Sequence, residues 1–183
     1  MPIFDTHAHY DAEQFDADRD AVLTALPAQG VCAVIQCATD PDSVRKSLVL
    51  AEQYPYIRVA VGIHPEFVSA ATPDWLDTVR SAAAHPLVCA IGEIGLDYHY
   101  SPETREDQIK LFEQLLQLAQ DKNLPVSFHI REAFDDFFAI IQNFPEIRGV
   151  VHSFSDSKKT LKRILNETNF YVGVNGLATY STL

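Results

Sequence analysis

The sequence predicts an α/β fold in which seven short parallel strands alternate with six helices and curve into an incomplete barrel. Apolar, strand-like runs recur along the chain, and the segments between them have the periodicity of amphipathic helices. Side chains of the kind that bind metals follow five of these runs. An open sheet gathers ligand-binding residues mainly at one switch point. A closed or nearly closed ring of strands therefore fits this pattern best.

The first half of the chain supplies three strands and three helices. The strands are predicted at residues 2–4, 31–38 and 59–63, and the helices near residues 19–29, after Asp40-Pro41 and after Thr72-Pro73. A capping side chain followed by proline is a common helix start, because proline fits the first helical position. Val44, Leu48 and Ala51 share one face of the second helix. This face is expected to pack on the sheet.

The second half repeats the same order. Strands are predicted at residues 88–92, 126–128, 149–151 and 170–174, and helices begin at Ser101-Pro102, around Phe134 and near Lys158. Helical connections of this length join parallel strands through right-handed crossovers. A complete barrel of eight units usually takes about 250 residues. The 183 residues are therefore expected to form one C-terminally truncated domain, residues 1–183, which lacks strand eight and the last two helices.

Composition and charge argue against several classes of protein. The chain has 25 acidic and 14 basic residues and a net charge of −11, so its surface as a whole repels polyanions. No apolar stretch approaches the ~20 residues that span a bilayer, and no signal peptide is recognisable. We expect no membrane partner and a cytoplasmic location. Cys32, Cys37 and Cys89 lack metal-binding spacing and are expected to be buried thiols.

Five histidines and one glutamate at the ends of apolar runs predict the functional site: His7, His9, His64, Glu93, His129 and His152. His7 and His9 are two residues apart on a strand, so both point the same way and can bind one cation. A carboxylate at a strand end, such as Glu93, can bridge two metals. The alternatives are two solvent-facing loop histidines and a structural ion pair of Glu93. Nitrogen and oxygen donors suit zinc, manganese, iron or nickel, and magnesium where water and phosphate add oxygens.

Five motifs, in this order along the chain, resemble the TatD family of metal-dependent hydrolases. They are residues 5–9 (DTHAH), 62–65 (GIHP), 92–97 (GEIGLD), 125–131 (PVSFHIR) and 149–155 (GVVHSFS). The resemblance implies a TIM-type (β/α)8 barrel and hydrolysis of phosphodiester bonds of DNA, often from a 3′ end, with magnesium or manganese. It also implies that His7, His9 and Glu93 hold one divalent cation and that Glu93, His129 and His152 hold a second. Glu93 is the expected catalytic residue.

Three further residues are expected to contact the substrate. His64 is expected to line the pocket without binding metal. Arg131 is expected to contact a phosphate, because a guanidinium matches phosphate oxygens with a two-pronged fork. An ion pair of Arg131 with Glu132 or Asp135 is the alternative. His99, in the loop after strand four, is expected to be either a substrate contact or a surface histidine.

The family pattern also includes a Glu-Thr-Asp segment on strand eight, and nothing after Gly176 matches it. The resemblance implies that the aspartate of this segment binds metal and positions or deprotonates the attacking water. Loss of such a general base typically lowers a rate by ~10² to 10⁴. The alternatives to an active nuclease are therefore a catalytically impaired metal-binding protein and a small-molecule phosphoesterase or amidohydrolase. Strands one and seven would also have unpaired edges. Either self-association through this open side of the barrel or a lower stability than that of a full-length relative is expected.

Overall fold

Seven parallel strands form one sheet in a computed structural model that describes residues 1–179. The strands are β1 (Ile3–Ala8), β2 (Val31–Cys37), β3 (Ile57–Val61), β4 (Val88–Asp97), β5 (Val126–Arg131), β6 (Gly149–Val151) and β7 (Phe170–Val172). The helices between them are α1 (Arg19–Ala25), α2 (Pro41–Gln53), α3 (Pro73–Ala82), α4 (Arg105–Lys122), α5 (Phe134–Ile141) and α6 (Lys158–Glu167). Short 3₁₀ turns lie at Glu13–Phe15, Pro27–Gln29, Pro65–Phe67, Pro102–Thr104 and Gly176–Thr179.

The strand order identifies the architecture. Each strand pairs in parallel with the next strand along the chain, from β1 to β7. A doubly wound sheet reverses its order at a switch point, whereas a barrel runs in sequence order. The prediction of an incomplete α/β barrel is therefore confirmed, and all seven strands direct their carboxyl ends to the same side.

An aromatic cluster in the core fixes the position of β5, the strand that carries His129. The ring of Phe128 lies 5.3 Å from that of Phe137 on α5 and 4.7 Å from that of Phe170 on β7. Phe112 on α4 lies 6.1 Å from Phe128 and 6.3 Å from Phe137. Such contacts hold neighbouring elements in one arrangement, because close-packed side chains have little room to shift.

Three strands extend further than their apolar runs suggest. We expected the functional side chains to follow the strands, but His7, Glu93 and His129 lie inside β1, β4 and β5. The prediction ended each strand too early because polar residues interrupt the apolar pattern. Inside a barrel, polar side chains that face the centre are compatible with strand pairing.

Two local expectations were also wrong. The helix predicted at residues 19–29 ends at Ala25 and is followed by a separate 3₁₀ turn that starts at Pro27. Proline has no N–H to continue the α-helical hydrogen bonds, which explains the break. Cys32 is exposed rather than buried, whereas Cys37 is buried and Cys89 is partly buried.

Within residues 1–179, none of the helices combines the length and the apolarity needed to cross a membrane.

Candidate metal centre

Glu93 lies at the centre of a cluster of imidazoles. Its carboxylate is 2% exposed, and its two oxygens face different histidines. Oε2 lies 3.2 Å from Nε2 of His7 and 3.2 Å from Nε2 of His9. Oε1 lies 2.6 Å from Nε2 of His152 and 2.9 Å from Nδ1 of His129. The structure thus brings together all five residues that the sequence singles out as metal ligands.

The chain holds His7 and His9 in orientations that direct their Nε2 atoms toward Glu93. His9 donates its Nδ1–H to the carbonyl oxygen of Cys37 at 2.8 Å. Nδ1 of His7 lies 3.0 Å from Oγ of Ser127, which can accept its proton. Nδ1, which faces away from Glu93, is the outer nitrogen of each ring, and Nε2, which faces Glu93, is the inner nitrogen. When the outer nitrogen carries the proton, the inner nitrogen presents a lone pair, as metal-binding histidines require. Both histidines can therefore act as ligands through Nε2.

Asp97 orients the third histidine. Its Oδ2 accepts a hydrogen bond of 2.8 Å from Nε2 of His129, so Nδ1 is the nitrogen of His129 that faces Glu93. The carboxylate is fully buried, and its Oδ1 accepts the backbone N–H groups of His99 and Tyr100 at 2.9 Å each. A carboxylate behind a ligating histidine is a common support of metal sites.

The sequence contains a signal for Asp97 that our interpretation did not use. Glu93, Gly95 and Asp97 alternate along β4, and residues two apart on a strand point to the same face. The same periodicity that places His7 beside His9 therefore places Asp97 on the face of Glu93. The same alternation places Ser127 on the face of His129 along β5, but no local pattern indicates that Ser127 contacts His7 or that the carbonyl of Cys37 contacts His9, because both contacts join different strands.

Burial and hydrogen bonding oppose each other at these charged groups. Burial favours the neutral form of Glu93, but hydrogen bonds from the surrounding histidines outweigh it and hold the pKa of Glu93 well below its ordinary value. Burial alone would lower the pKa of His129, but hydrogen bonds to Asp97 and Glu93 outweigh this effect and raise the pKa to about 9. The hydrogen bond from His129 lowers the pKa of Asp97 to about 2 against the effect of burial. At His152 burial dominates and lowers the pKa.

His64 differs from the other histidines in its hydrogen bonding. It is buried at the end of β3, and its Nε2 lies 3.5 Å from Oε1 of Glu93. His64, Glu93 and His129 thus offer a possible ligand set beside that of His7, His9 and Glu93. However, Nδ1 of His64 accepts the backbone N–H of Glu66 at 3.2 Å. In the neutral ring the proton is then on Nε2, so His64 presents a donor rather than a lone pair to the cluster.

The other two expected substrate contacts lie further out. The guanidinium of Arg131 lies over the ring of Tyr100, with Cζ 4.6 Å from the ring centroid. Neither Glu132 nor Asp135 forms an ion pair with Arg131 among the described residues; they pair with His99 at 2.8 Å and with Arg163 at 3.9 Å. Neither Arg131 nor His99 belongs to the lining of the cleft described next.

A cleft of about 570 Å³ opens over the cluster. Its inner part is formed by His9, His64, Glu93, His129 and His152. Its rim carries several carboxylates and one lysine: Asp11, Glu13, Asp40, Asp42, Glu66 and Lys46. This volume is in the usual range of small-molecule sites, roughly 300–1,000 Å³. The cleft can therefore admit a substrate of nucleotide size to the donor atoms.

Comparison with known proteins agrees with this geometry. The family described as "TatD related DNase" matches residues 4–182. The uncharacterized metal-dependent hydrolase YabD of Bacillus subtilis is 32% identical over 180 residues, which cover 97% of this chain and 70% of that protein. The 3′-5′ ssDNA/RNA exonuclease TatD of Musicola paradisiaca is 33% identical over 177 residues, or 95% of this chain and 67% of that protein.

A solved structure supports the same relationship. The crystal structure of YjjV, a TatD homologue from Escherichia coli, superposes with a TM-score of 0.90 at 31% identity. The match covers 97% of this chain and 70% of that chain. The fold, the clustered histidines around a buried glutamate and the family match agree, and the chain belongs to the TatD family of metal-dependent hydrolases.

Proposed function

We propose that this chain hydrolyses phosphodiester bonds of single-stranded nucleic acid, DNA foremost, from the 3′ end, with two divalent cations. The observation that carries the proposal is that each carboxylate oxygen of Glu93 faces its own pair of imidazoles: Oε2 faces His7 and His9, and Oε1 faces His129 and His152. A carboxylate in this position could bridge two cations. His7 and His9 would hold the first cation with Glu93, and His129 and His152 would hold the second.

The distances between the donor atoms support this assignment. Donors at right angles around a cation, each at about 2.1 Å, lie about 3.0 Å apart. Nε2 of His7 and of His9 are 3.0 Å apart, and each is 3.2 Å from Oε2 of Glu93. Nδ1 of His129 and Nε2 of His152 are 3.3 Å apart, and they are 2.9 and 2.6 Å from Oε1 of Glu93. Both triangles match the size of a ligand set around one cation.

The chemistry suits hydrolysis of a phosphodiester. Bound divalent cations lower the pKa of water and neutralise charge that develops on phosphoryl oxygens. Glu93 remains ionised because its pKa is held low, so it keeps its negative charge for the cations. His64 directs its Nε2–H into the cluster and can donate a hydrogen bond to a phosphoryl oxygen. Burial lowers the pKa of His152, which favours the neutral imidazole that a cation requires.

The choice of substrate rests on the relatives. The protein of Musicola paradisiaca is named a 3′-5′ exonuclease of single-stranded DNA and RNA, and the histidines and glutamate of this chain are suited to the same reaction. Magnesium and manganese are the cations we propose, because a phosphodiester and water complete their preference for oxygen ligands. Zinc, iron or nickel would also fit the imidazole donors.

The test of this proposal is Glu93→Gln, which keeps the shape of the side chain and removes its charge. We expect the purified wild type to bind two manganese ions per chain and to release nucleotides from a single-stranded oligonucleotide. Glu93→Gln is expected to lose most of the bound metal and to be at least ~10²-fold slower. Metal content is measured by mass spectrometry, and nucleotide release by gel electrophoresis.

The matched control is Glu113→Gln, the same substitution at an exposed position of α4. It should behave as the wild type in both measurements. Equal nucleotide release by the wild type and by Glu93→Gln would refute the assignment, because activity independent of Glu93 would come from another site or a contaminant.

A second candidate function is hydrolysis of small phosphoesters, and the acidic rim of the cleft favours it. Five carboxylates and one lysine surround the opening, an arrangement that repels a long polyanion more than a small substrate. The two functions are separated by comparing turnover of a single-stranded oligonucleotide with that of a dinucleotide. A higher kcat/KM on the dinucleotide would favour the small-molecule function.

A further inference from the structure

Two of the exposed aromatic side chains lie at the mouth of the cleft. Among the described residues, four aromatic side chains are exposed: Phe4, Phe67, Tyr100 and Tyr171. Phe4 and Tyr171 belong to β1 and β7, the outer strands of the sheet. Phe67 and Tyr100 both line the cleft over the donor cluster and are 38% and 60% exposed. Neither ring lies on an outer strand, so packing at the edge of the sheet does not account for their exposure.

Both rings are tied directly to residues of the cluster. Phe67 ends the 3₁₀ turn after β3, and its ring meets that of His64 edge to face, at 6.5 Å between centroids. Tyr100 donates its backbone N–H to Asp97, the carboxylate that orients His129. The two rings therefore hold fixed positions relative to the donor atoms.

Tyr100 is further held by a cationic neighbour. The guanidinium of Arg131 lies over the ring at 4.6 Å, and the ring of His99 contacts it edge to face at 4.7 Å. A ring restrained in this way loses little conformational freedom when it stacks on a ligand. This arrangement also gives Arg131 a role in supporting the cleft wall.

We infer that Phe67 and Tyr100 form an aromatic subsite for the nucleobase of the nucleotide whose phosphodiester lies at the donor cluster. The inference rests on the proposed function and specifies how the substrate is held. Stacking on aromatic rings is open to any base, because every base has a π-face. The carboxylates of Glu13 and Glu66 on the same rim repel phosphate, so this part of the cleft suits the uncharged base.

The subsite favours single strands over duplexes. A base can stack on Phe67 or Tyr100 only after it leaves its stack and its pairing partner. The unpaired 3′ end of a single strand meets this condition without the cost of opening a duplex. Preference for an unpaired terminal nucleotide then follows from the cleft wall rather than from the cations.

Binding of a fluorescent oligonucleotide tests the subsite independently of turnover. The probe is a single-stranded oligonucleotide with 2-aminopurine as its 3′-terminal base and a phosphorothioate as its last linkage, in the presence of manganese. We expect binding to quench the 2-aminopurine fluorescence, since this base loses emission when it stacks. An otherwise identical oligonucleotide without the terminal base should bind about 10-fold more weakly to the wild type.

Two variants and a control locate the effect. Phe67→Leu and Tyr100→Leu should each reduce the quenching and the difference in affinity between the two oligonucleotides. Tyr171→Leu removes an exposed ring from β7 and should leave both unchanged. The subsite is overturned if the wild type binds both oligonucleotides equally or binds neither. It is also overturned if neither leucine variant alters the quenching.

The outcome separates this inference from the proposed function. Base-dependent binding without hydrolysis of any oligonucleotide would reject the nuclease function and retain the subsite. Hydrolysis with the same kcat/KM for substrates with and without the terminal base would retain the nuclease function and reject the subsite.

Discussion

The hydrogen bond on the outer nitrogen of each imidazole determines what its inner nitrogen presents to Glu93. His9 and His129 donate to oxygens of Cys37 and Asp97, so their inner nitrogens can carry a lone pair. His64 accepts a backbone N–H and therefore presents a proton. Similar residues in one cluster are thus suited to different tasks, and the partner behind each ring makes the difference.

Asp97→Asn tests the most strongly coupled of these partners in the metal-free protein. The pKa of His129 is raised from 6.5 to about 9, so its stabilisation is present below pH 6.5 and is lost as the pH rises through 9. The pKa of Asp97 is lowered from 3.8 to about 2, so its stabilisation is present above pH 3.8 and is lost as the pH falls through 2. The wild type should therefore exceed the variant in stability by roughly 1–3 kcal/mol near pH 5.

The pH dependence distinguishes this pairing from a simple packing defect. The difference in free energy of unfolding between wild type and Asp97→Asn should narrow from pH 6.5 toward pH 9, as His129 loses its proton. Urea denaturation with a chelator present at several pH values measures it. Asp121→Asn, at an exposed position of α4, should show no such trend. A stability difference that is constant from pH 5 to 9 would contradict the coupling.

At the level of elements, β4 positions most of the site. It has ten residues, pairs with β3 and β5, and carries both Glu93 and Asp97. Gly95 stands opposite His129 in the pairing with β5. A Cβ atom added to Gly95 would lie 1.9 Å from the carbonyl oxygen of His129, and the φ of +153° also favours glycine. The close approach of the two strands that brings His129 to Glu93 therefore requires glycine at this position.

Gly95→Ala should disturb both the fold and the site. The added methyl group cannot fit without a shift of β5, and the strained φ adds to the cost, so we expect a loss of about 2 kcal/mol or more in unfolding free energy. Urea denaturation measures the stability, and calorimetric titration with manganese measures the accompanying loss of affinity. Gly176→Ala is the control, since a Cβ there would meet nothing within 4 Å. A Gly95→Ala protein within 0.5 kcal/mol of wild type would show that the strands can separate freely.

Some features of these elements can be predicted from the sequence alone, and others cannot. The alternation of strands and helices and the start of α2 at Asp40-Pro41 follow from local pattern, and the structure agrees. The ends of β1, β4 and β5 do not follow from it, because polar residues interrupt the apolar runs. The strand order follows because short helical crossovers join neighbouring parallel strands. Apart from Asp97, whose position follows from the alternation along β4, the partners of the imidazoles could not be predicted. Ser127 reaches His7 from 120 residues away, and no local periodicity encodes such a contact.

At the level of the whole molecule, the net charge of −11 means that the surface as a whole repels a polyanion. Part of the acidic rim is already engaged within the protein. Asp40 caps α2, Asp42 pairs with basic side chains of the same helix, and Asp11 accepts hydrogen bonds from Gln36 and Ser43. These contacts reduce the repulsion, but the one lysine of the rim, Lys46, is itself paired with Asp42. If the proposed function is correct, phosphate would therefore be attracted chiefly by the cations that Glu93 and the histidines would hold.

The two outer strands of the sheet, β1 and β7, offer edges through which the chain could self-associate. β1 and β7 each pair with only one strand in the described sheet. Exposed apolar side chains lie on or beside them: Ile3 (50%), Phe4 (55%), Tyr171 (79%) and Val174 (82%). Unpaired strand edges with apolar side chains tend to pair with another chain. A second copy of this chain offers the same two edges, so we expect a dimer or larger assembly of the 20.5 kDa chain.

Lysine substitutions on these strands should shift the equilibrium to the monomer. Charged side chains on an edge strand disfavour pairing, because the charge would have to be desolvated in the interface. We expect Phe4→Lys combined with Tyr171→Lys to give a smaller species than the wild type in size-exclusion chromatography with light scattering. Leu165→Lys, at an exposed position of α6 that is 58% accessible, should leave the assembly unchanged. A wild-type chain that elutes as a 20.5 kDa monomer at every concentration would rule out the edges as an association surface.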